Sequence, residues 1–498
     1  MDTYLDQSLM PNNKILFVTS EAYPLVKTGG LGDVAGSLPA ALKAQRQDIR
    51  IIMPAYRDAM RKAEKLGFAS FQMEGVPETV RLLEGRLLST NVRLLLVDSP
   101  AHFDRPGGPY VDPDGHDWAD NAERFAIFAR VAVAVALNKA GLKWQPDIVH
   151  CNDWQSGLVP ALLAQYPNRP ATIFTIHNLA YHGYFDSSKF QTLKLPHYLW
   201  GIDALEFHGG LSFIKGGLVF ADMINTVSPT YAAEIRTPQF GHGLDGLLNH
   251  RADRLVGILN GVDYKQWNPA EDPHIRHPYD AHKLTGKAKN KRQLQKEFGL
   301  PQREDAPLLG LVGRLVEQKG IDLVLSIIPQ LVQQDAQLVV LGTGDKRYQT
   351  ELQQAAKLYP EQIAAHIGFS ETVAHQIEAG ADMFLMPSRF EPCGLNQIYS
   401  LRYGTAPIVR RTGGLADTVV DANDTNIEQK TATGFQFEHA TQDGLWQAIE
   451  RAISIYRNQP KIWQQIVITG MRHDFSWKQS AKHYLELYQQ ALATLSSG

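Results

Sequence analysis

Two doubly wound α/β domains are what this sequence predicts, and three observations predict them. Short continuous apolar runs of strand length recur along the chain, helix-length patterns separate them, and the series restarts after a turn-rich passage near residue 260. Unbroken rather than alternating apolar runs mean strands covered on both faces, hence parallel strands joined by helices. At roughly 150 residues per domain, 498 residues accommodate two or three domains.

The polar leader MDTYLDQSLMPNN carries acids and neither a basic n-region nor an apolar h-region, so no secretory signal is expected and the cytoplasm is the expected compartment. Lys14 to Ser20 then forms the first apolar run, ends on small hydroxyl residues and runs into a glycine-rich segment. Ile49 to Met53, Val92 to Val97, Ile148 to Cys151, Ala171 to Ile176 and Met223 to Val227 repeat the theme, and Asn121 to Gly141 has the pattern of a buried helix. The longest apolar stretch, Phe125 to Leu142, is broken by Arg130, Asn138 and Lys139 and falls short of the ~20 residues a bilayer span needs.

Between Asp253 and Pro273 the turn-forming Asn260 to Asp263 and Asn268-Pro269 mark a junction. A basic helix pattern, Gly286 to Phe298, reads as a solvated linker helix. Strand-length runs resume at Leu308 to Val312, Gln337 to Leu341, His366 to Phe369, Met383 to Pro387 and Ala406 to Arg410. The expected division is therefore 1–256, 257–475 and a terminal helix at 476–498 that could return to the first domain.

With 49 basic and 52 acidic side chains the net charge is −3, which speaks against a phosphate-tracking nucleic-acid binder. Two cysteines far apart, Cys151 and Cys393, give neither a disulfide framework nor a zinc spacing.

Three loops have the chemistry to hold a diphosphate. Lys27 to Asp33 sets a lysine beside Gly29, Gly30 and Gly32 ahead of a predicted helix at 33–44; glycines let amides approach an anion and the helix N-terminus favours one. Gly30 to Ala35 also fits the dinucleotide fingerprint G-x-G-x-x-A, but the glycines begin well past the strand and no ribose-binding acid follows the second strand. Gly313 to Gly320 pairs Arg314, a fixed fork of donors, with Lys319, a point charge, across one loop. Ser388 to Gln397 combines the irregular backbone of Pro392 and Gly394 with Glu391, whose carboxylate suits sugar hydroxyls better than phosphate.

Seven words in these regions together resemble the bacterial glycogen and starch synthases, retaining glycosyltransferases of family 5 with the GT-B fold. They are KTGGLGDV at 27–34, HCNDWQ at 150–155, TIHNLAY at 175–181, NGVD at 260–263, GRLVEQKG at 313–320, SRFEPCGLNQ at 388–397 and RRTGGLADTV at 410–419, in the family's order across nearly the whole chain. The resemblance implies two Rossmann-like domains facing each other across a cleft, the first on the acceptor side and the second binding the nucleotide sugar. It further implies transfer of glucose from ADP-glucose to the non-reducing end of glycogen or another α-1,4-glucan, without cofactor or metal, nucleic acid or membrane.

By position, the resemblance makes Arg314 and Lys319 the diphosphate clamp, Glu391 the glucose-binding carboxylate and His177 the neighbour of the anomeric carbon. Lys27, Gly29 and Gly30 would serve the donor from the first domain. Cys393, Gly394, Leu395 and Asn396 would line glucose and phosphate, Asp153 and Asn260 the pocket wall, and Phe369 would stack on adenine. Asp112-Pro113-Asp114 forms a D-x-D, but turn residues surround it and a turn is expected there. Rival readings are a retaining transferase making sucrose, trehalose or a surface glycan, a silent glucan-binding protein, and a dehydrogenase.

Overall fold

The computed structural model describes residues 12–71 and 80–497. The leader, apart from its last two residues, lies outside them. The chain forms two compact units: residues up to Val227, Ala232–Gly261 and Trp477–Gly498 make the first, Ser228–Tyr231 and Val262–Ser476 the second.

Unit 1 holds strands β1 (Lys14–Val18), β2 (Asp48–Pro54), β3 (Glu64–Phe71), β4 (Val80–Leu87), β5 (Val92–Asp98), β6 (Ile148–Asn152), β7 (Ala171–Ile176), β8 (Tyr184–Phe185), β9 (Glu206–Phe207), β10 (Gly210–Ser212), β11 (Met223–Thr226) and β12 (Leu255–Gly257). Nine of them form one sheet in the order β12-β11-β7-β6-β1-β2-β5-β4-β3, and β8, β10 and β9 form a small antiparallel sheet. Ile15, Leu16, Phe17 and Val18 are wholly buried, as expected of a central strand packed on both faces. Helix Gly30–Ala44 returns from β1 to β2 and buries Leu31, Val34, Ala35, Leu38 and Leu42, the 3.6-residue stripe of an amphipathic helix.

Unit 2 holds β13 (Leu308–Leu315), β14 (Gln337–Gly344), β15 (Ile363–Ile367), β16 (Met383–Met386), β17 (Ala406–Arg410) and β18 (Phe435–Phe437) in the all-parallel order β15-β14-β13-β16-β17-β18. Numbered within the unit this is 3-2-1-4-5-6, the doubly wound order.

The structure departs from the sequence reading in three places. The first sheet is mixed: β3, β4 and β5 pair antiparallel at one edge, where Arg81, Glu84 and Arg86 interrupt the apolar run of β4. The third strand of unit 2 spans 363–367 rather than 366–369; its small Ala364 and Ala365 hide it, and Phe369 falls beyond its end. Helix Thr285–Glu297 is no solvated linker. Lys291 is buried, ion-paired with Asp382 at 2.7 Å and bonded to the carbonyls of Glu304 and Ala306, so its charge is fully met inside the fold.

Helix Trp477–Ser497 packs against β7, β11 and helix Gly30–Ala44 of unit 1, burying Ala481, Tyr484, Leu485, Tyr488 and Ala491. Its first turn lies flat on Gly261, where an added Cβ would sit 2.5 Å from the Trp477 backbone. Gly261→Ala is therefore expected to destabilise the protein by about 2 kcal/mol; an unchanged denaturation midpoint would contradict that packing.

Candidate active site

Open parallel sheets bind ligands at the carboxyl ends of their strands where the strand order reverses, because the connecting loops diverge there and leave a crevice. That point lies between β13 and β16 in unit 2 and between β1 and β6 in unit 1.

In unit 2, β13 ends in Gly313, Arg314 and Leu315, and the single turn Glu317–Lys319 carries Lys319. Ser388 and Glu391 follow β16. A cavity of about 210 Å³ opens there, lined by Arg314, Lys319, Ser388, Glu391, Gly394, Leu395 and Asn396 together with apolar residues of β13 and β16. Glu391 is 7% exposed, and its Oε2 accepts from Lys319 Nζ at 2.5 Å and from Ser388 Oγ at 3.0 Å. Among the described residues Arg314 makes one long contact, 3.5 Å, to Gln318 Oε1. Two cations against one carboxylate leave a positive excess that favours an anion.

The loops that carry these groups are stitched together. Gln318 donates to the Phe390 carbonyl at 3.0 Å and accepts from the Arg389 amide at 2.8 Å; Arg389 itself is committed to Asp322 at 2.6 Å. Asn396 Nδ2 donates to the Val312 carbonyl at 2.8 Å and fixes helix Asn396–Arg402 to β13. The glycines of RRTGGLADTV clamp Glu391 from behind: Gly413 has φ +44°, a Cβ on it would lie 2.0 Å from the Glu391 carbonyl oxygen, and the Gly414 amide donates to that oxygen at 3.1 Å.

In unit 1, buried Glu21 follows β1 and accepts from the amides of Thr28 and Gly29 at 2.5 and 3.2 Å and from Tyr110 Oη at 2.6 Å. The Thr28 and Gly29 amides are thus spent inside the protein, while Gly30 and Leu31 head the helix. Burial pushes the Glu21 carboxyl up from its ordinary range. Lys27 Nζ pairs with Asp33 at 2.7 Å.

Asp153, just past β6, has φ 54° and ψ −179°, a region nearly reserved for glycine and costing about 1–3 kcal/mol. Its Oδ1 accepts from the His177 amide at 2.7 Å, and burial raises its pKa to about 7. His177 Nε2 lies 3.0 Å from Asn152 Oδ1. Asn152 Nδ2 donates to the carbonyls of Val18 and His150, so Oδ1 must accept and His177 carries its proton on Nε2. Burial lowers the His177 pKa to about 3, so the imidazole is neutral and Nδ1 has a lone pair to offer.

Of the predicted residues, Arg314, Lys319, Glu391, Gly394, Leu395 and Asn396 share the unit 2 cavity, and Asp153 and His177 touch in unit 1. Cys393 is buried behind the cavity wall, and Phe369 stands 88% exposed beyond β15, outside the cavity lining. Asn260 belongs to unit 1, buried, with no hydrogen-bond partner for its Oδ1 among the described residues. Sequence reasoning did not single out Glu21, Tyr110, Asn152 or Ser388. The position of Glu21 at the first strand's carboxyl end was the available signal; Tyr110 gave none. Asp112 Oδ1 accepts from the amides of Asp114 and His116 and so closes a turn, and no group of three metal-ligating side chains occurs among the described residues.

Two Rossmann-like units, one holding a cation pair and a sugar-sized cavity at its switch point, define the GT-B class of glycosyltransferases. Residues 14–250 match the sequence model of the starch synthase catalytic domain, and residues 293–466 that of glycosyl transferases group 1. The glycogen synthase of Thioalkalivibrio sulfidiphilus is 55% identical over 96% of this chain and 100% of its own. Glycogen synthase 1 of Methylococcus capsulatus is 55% identical over 97% and 98%. The catalytic domain of starch synthase IV from Arabidopsis thaliana, solved bound to ADP and acarbose, superposes with a TM-score of 0.86 at 32% identity, covering 97% of this chain and 100% of that one. The chain belongs to the glycogen and starch synthase family. A sucrose-phosphate synthase from Thermosynechococcus elongatus, TM-score 0.58 at 18% identity over 97% and 99% of the two chains, shares the fold.

The neutral state of His177 has a consequence for acid stability. As pH falls from 6.5 towards 3, the unfolded chain takes up a proton at this ring that the folded protein refuses, so stability drops over that window. His177→Gln should remove up to about 2 kcal/mol of the loss accumulated between pH 7 and 5. Denaturation midpoints of both proteins at the two pH values measure it, and equal losses would show that His177 ionises freely.

Proposed function

We propose that this protein transfers glucose from ADP-glucose to the non-reducing 4-OH end of an α-1,4-glucan, with retention at the anomeric carbon. The observation that carries the reading is the convergence of Arg314, Lys319 and Glu391 on one cavity at the switch point of unit 2. Family membership and the ADP and acarbose bound to starch synthase IV support the choice of donor and acceptor. At 18% identity the sucrose-phosphate synthase likeness speaks for the fold alone.

In this reading Arg314 and Lys319 bind the diphosphate and stabilise the charge it gains as the bond to C1 breaks. Glu391 accepts hydrogen bonds from the glucose hydroxyls, already oriented by Ser388 and the glycine clamp. Exposed Phe369 supplies a face for adenine. The acceptor hydroxyl attacks from the side the diphosphate leaves, and a phosphate oxygen takes its proton. His177 and Asp153 serve the same reaction: His177 Nδ1 accepts from a donor hydroxyl near C1, and Asp153 holds the His177 backbone in place. Lys27 and the amides of Gly30 and Leu31 serve the donor from unit 1.

Nucleotide release measured with ADP-glucose and UDP-glucose, each with glycogen, sucrose precursors or no acceptor, tests the reading; turnover that does not depend on glucan would overturn it. Arg314→Ala and Lys319→Ala should each lower kcat about 100-fold or more, ~3 kcal/mol of transition-state stabilisation. The denaturation midpoint of Arg314→Ala should stay close to wild type, while Lys319→Ala, which takes the cation from buried Glu391, should also lose stability. Near-normal turnover in both variants would remove the diphosphate clamp.

A further inference from the structure

We propose that Tyr488, His150 and Thr175 are positioning residues for His177, so that the helix Trp477–Ser497 sets the catalytic imidazole through a buried hydrogen-bond relay. The proposal rests on the role given to His177 above.

Side chains two apart on a strand share a face, so His150 lies directly below Asn152 on β6, and Thr175, near the end of β7, lies below His177. Parallel pairing sets Asn152 opposite Thr175. The two strands are thereby bridged twice: by His150 Nε2 to Thr175 Oγ1 at 2.6 Å, and one step further on by Asn152 Oδ1 to His177 Nε2 at 3.0 Å.

The lower bridge has only one consistent set of protons. Asn225 Nδ2 donates to Tyr484 Oη at 3.3 Å, so Asn225 Oδ1 accepts from the Thr175 hydroxyl at 2.5 Å. Thr175 Oγ1 then accepts from His150 Nε2, which leaves His150 Nδ1 to accept from the Tyr488 hydroxyl at 2.9 Å. His150, Thr175, Asn225, Tyr484 and Tyr488 are all 0% exposed. Groups so fully buried are out of reach of bulk solvent, so removing one hydroxyl strands a buried acceptor and shifts the strand ends that carry it.

The two levels are joined through the backbone. The His150 carbonyl accepts from Asn152 Nδ2, the bond that turns Asn152 Oδ1 towards His177. The Thr175 carbonyl accepts from the Asp153 amide, and Asp153 Oδ1 in turn holds the His177 amide. Both the tautomer of His177 and the place of its backbone are therefore tied to residues that contact the terminal helix. No part of the relay is needed to hold that helix by polarity alone, since Ala481, Leu485 and Ala491 already bury its apolar stripe.

The test is a double-mutant cycle in the full chain with Tyr488→Phe, His177→Ala and the pair, reading kcat, KM for ADP-glucose and the denaturation midpoint. Tyr488→Phe should lower kcat about tenfold with KM within about twofold, and should add nothing further in the His177→Ala background. Wild-type turnover in Tyr488→Phe, or the same fold-loss in both backgrounds, would overturn the relay. Should Tyr488→Phe fail to fold, the shape-matched Thr175→Val runs through the same cycle with the same two outcomes. If His177→Ala alone is fully active, the role of His177 falls and the relay falls with it, a result visible in the single variant before any coupling is measured.

Discussion

Parallel strands covered on both faces impose the constraint from which the rest of this molecule follows. Connections between parallel strands must cross over the sheet, so charged side chains gather at the strand ends, and the crevice forms where the winding reverses. In unit 2 the reversal separates β13 from β16, and Arg314, Lys319, Ser388 and Glu391 all stand within a few residues of those two strands. In unit 1 it separates β1 from β6; Glu21 follows β1, Asn152 ends β6 and Asp153 follows it. The chemistry is placed by topology before any side chain makes a contact.

Electrostatics then divides the work between the units. In the unit 2 cavity Lys319 and Glu391 satisfy one another at 2.5 Å while Arg314, among the described residues, makes one long contact to Gln318, so the cavity holds a surplus cation ready for an incoming anion. The strand ends of unit 1 that carry His177 disfavour charge instead. His150 and His177 are both pushed to about 3 by burial, and the Asp153 carboxyl rises for the same reason. A neutral ring with one fixed proton is a hydrogen-bonding tool rather than a counter-ion.

Much of this was legible in the sequence because apolar runs and glycine-rich loops are local signals. The strands of both sheet centres announce themselves within ten residues of chain, and the grouping of Arg314, Lys319 and Glu391 around one cavity was expected only from several loops taken together with the family resemblance. What stayed hidden depends on partners far away. Lys291 reads as a surface lysine until Asp382 is brought beside it, and β4 reads as loop because Arg81, Glu84 and Arg86 interrupt its apolar run. Tyr110 meets Glu21 across 89 positions, and Tyr488 meets His150 across 338; no window of sequence contains either pair.

The membership of helix Trp477–Ser497 in unit 1 has a bearing on how the protein is made. Residues 262–476 form an unbroken stretch that carries nearly all of unit 2, and they leave the ribosome before the helix does. The later half of the chain can therefore complete its core first, while the earlier half waits, its β7 and β11 uncovered on one side, for a segment not yet translated. Vectorial synthesis ordinarily favours the leading domain; here an element that emerges after unit 2 closes unit 1.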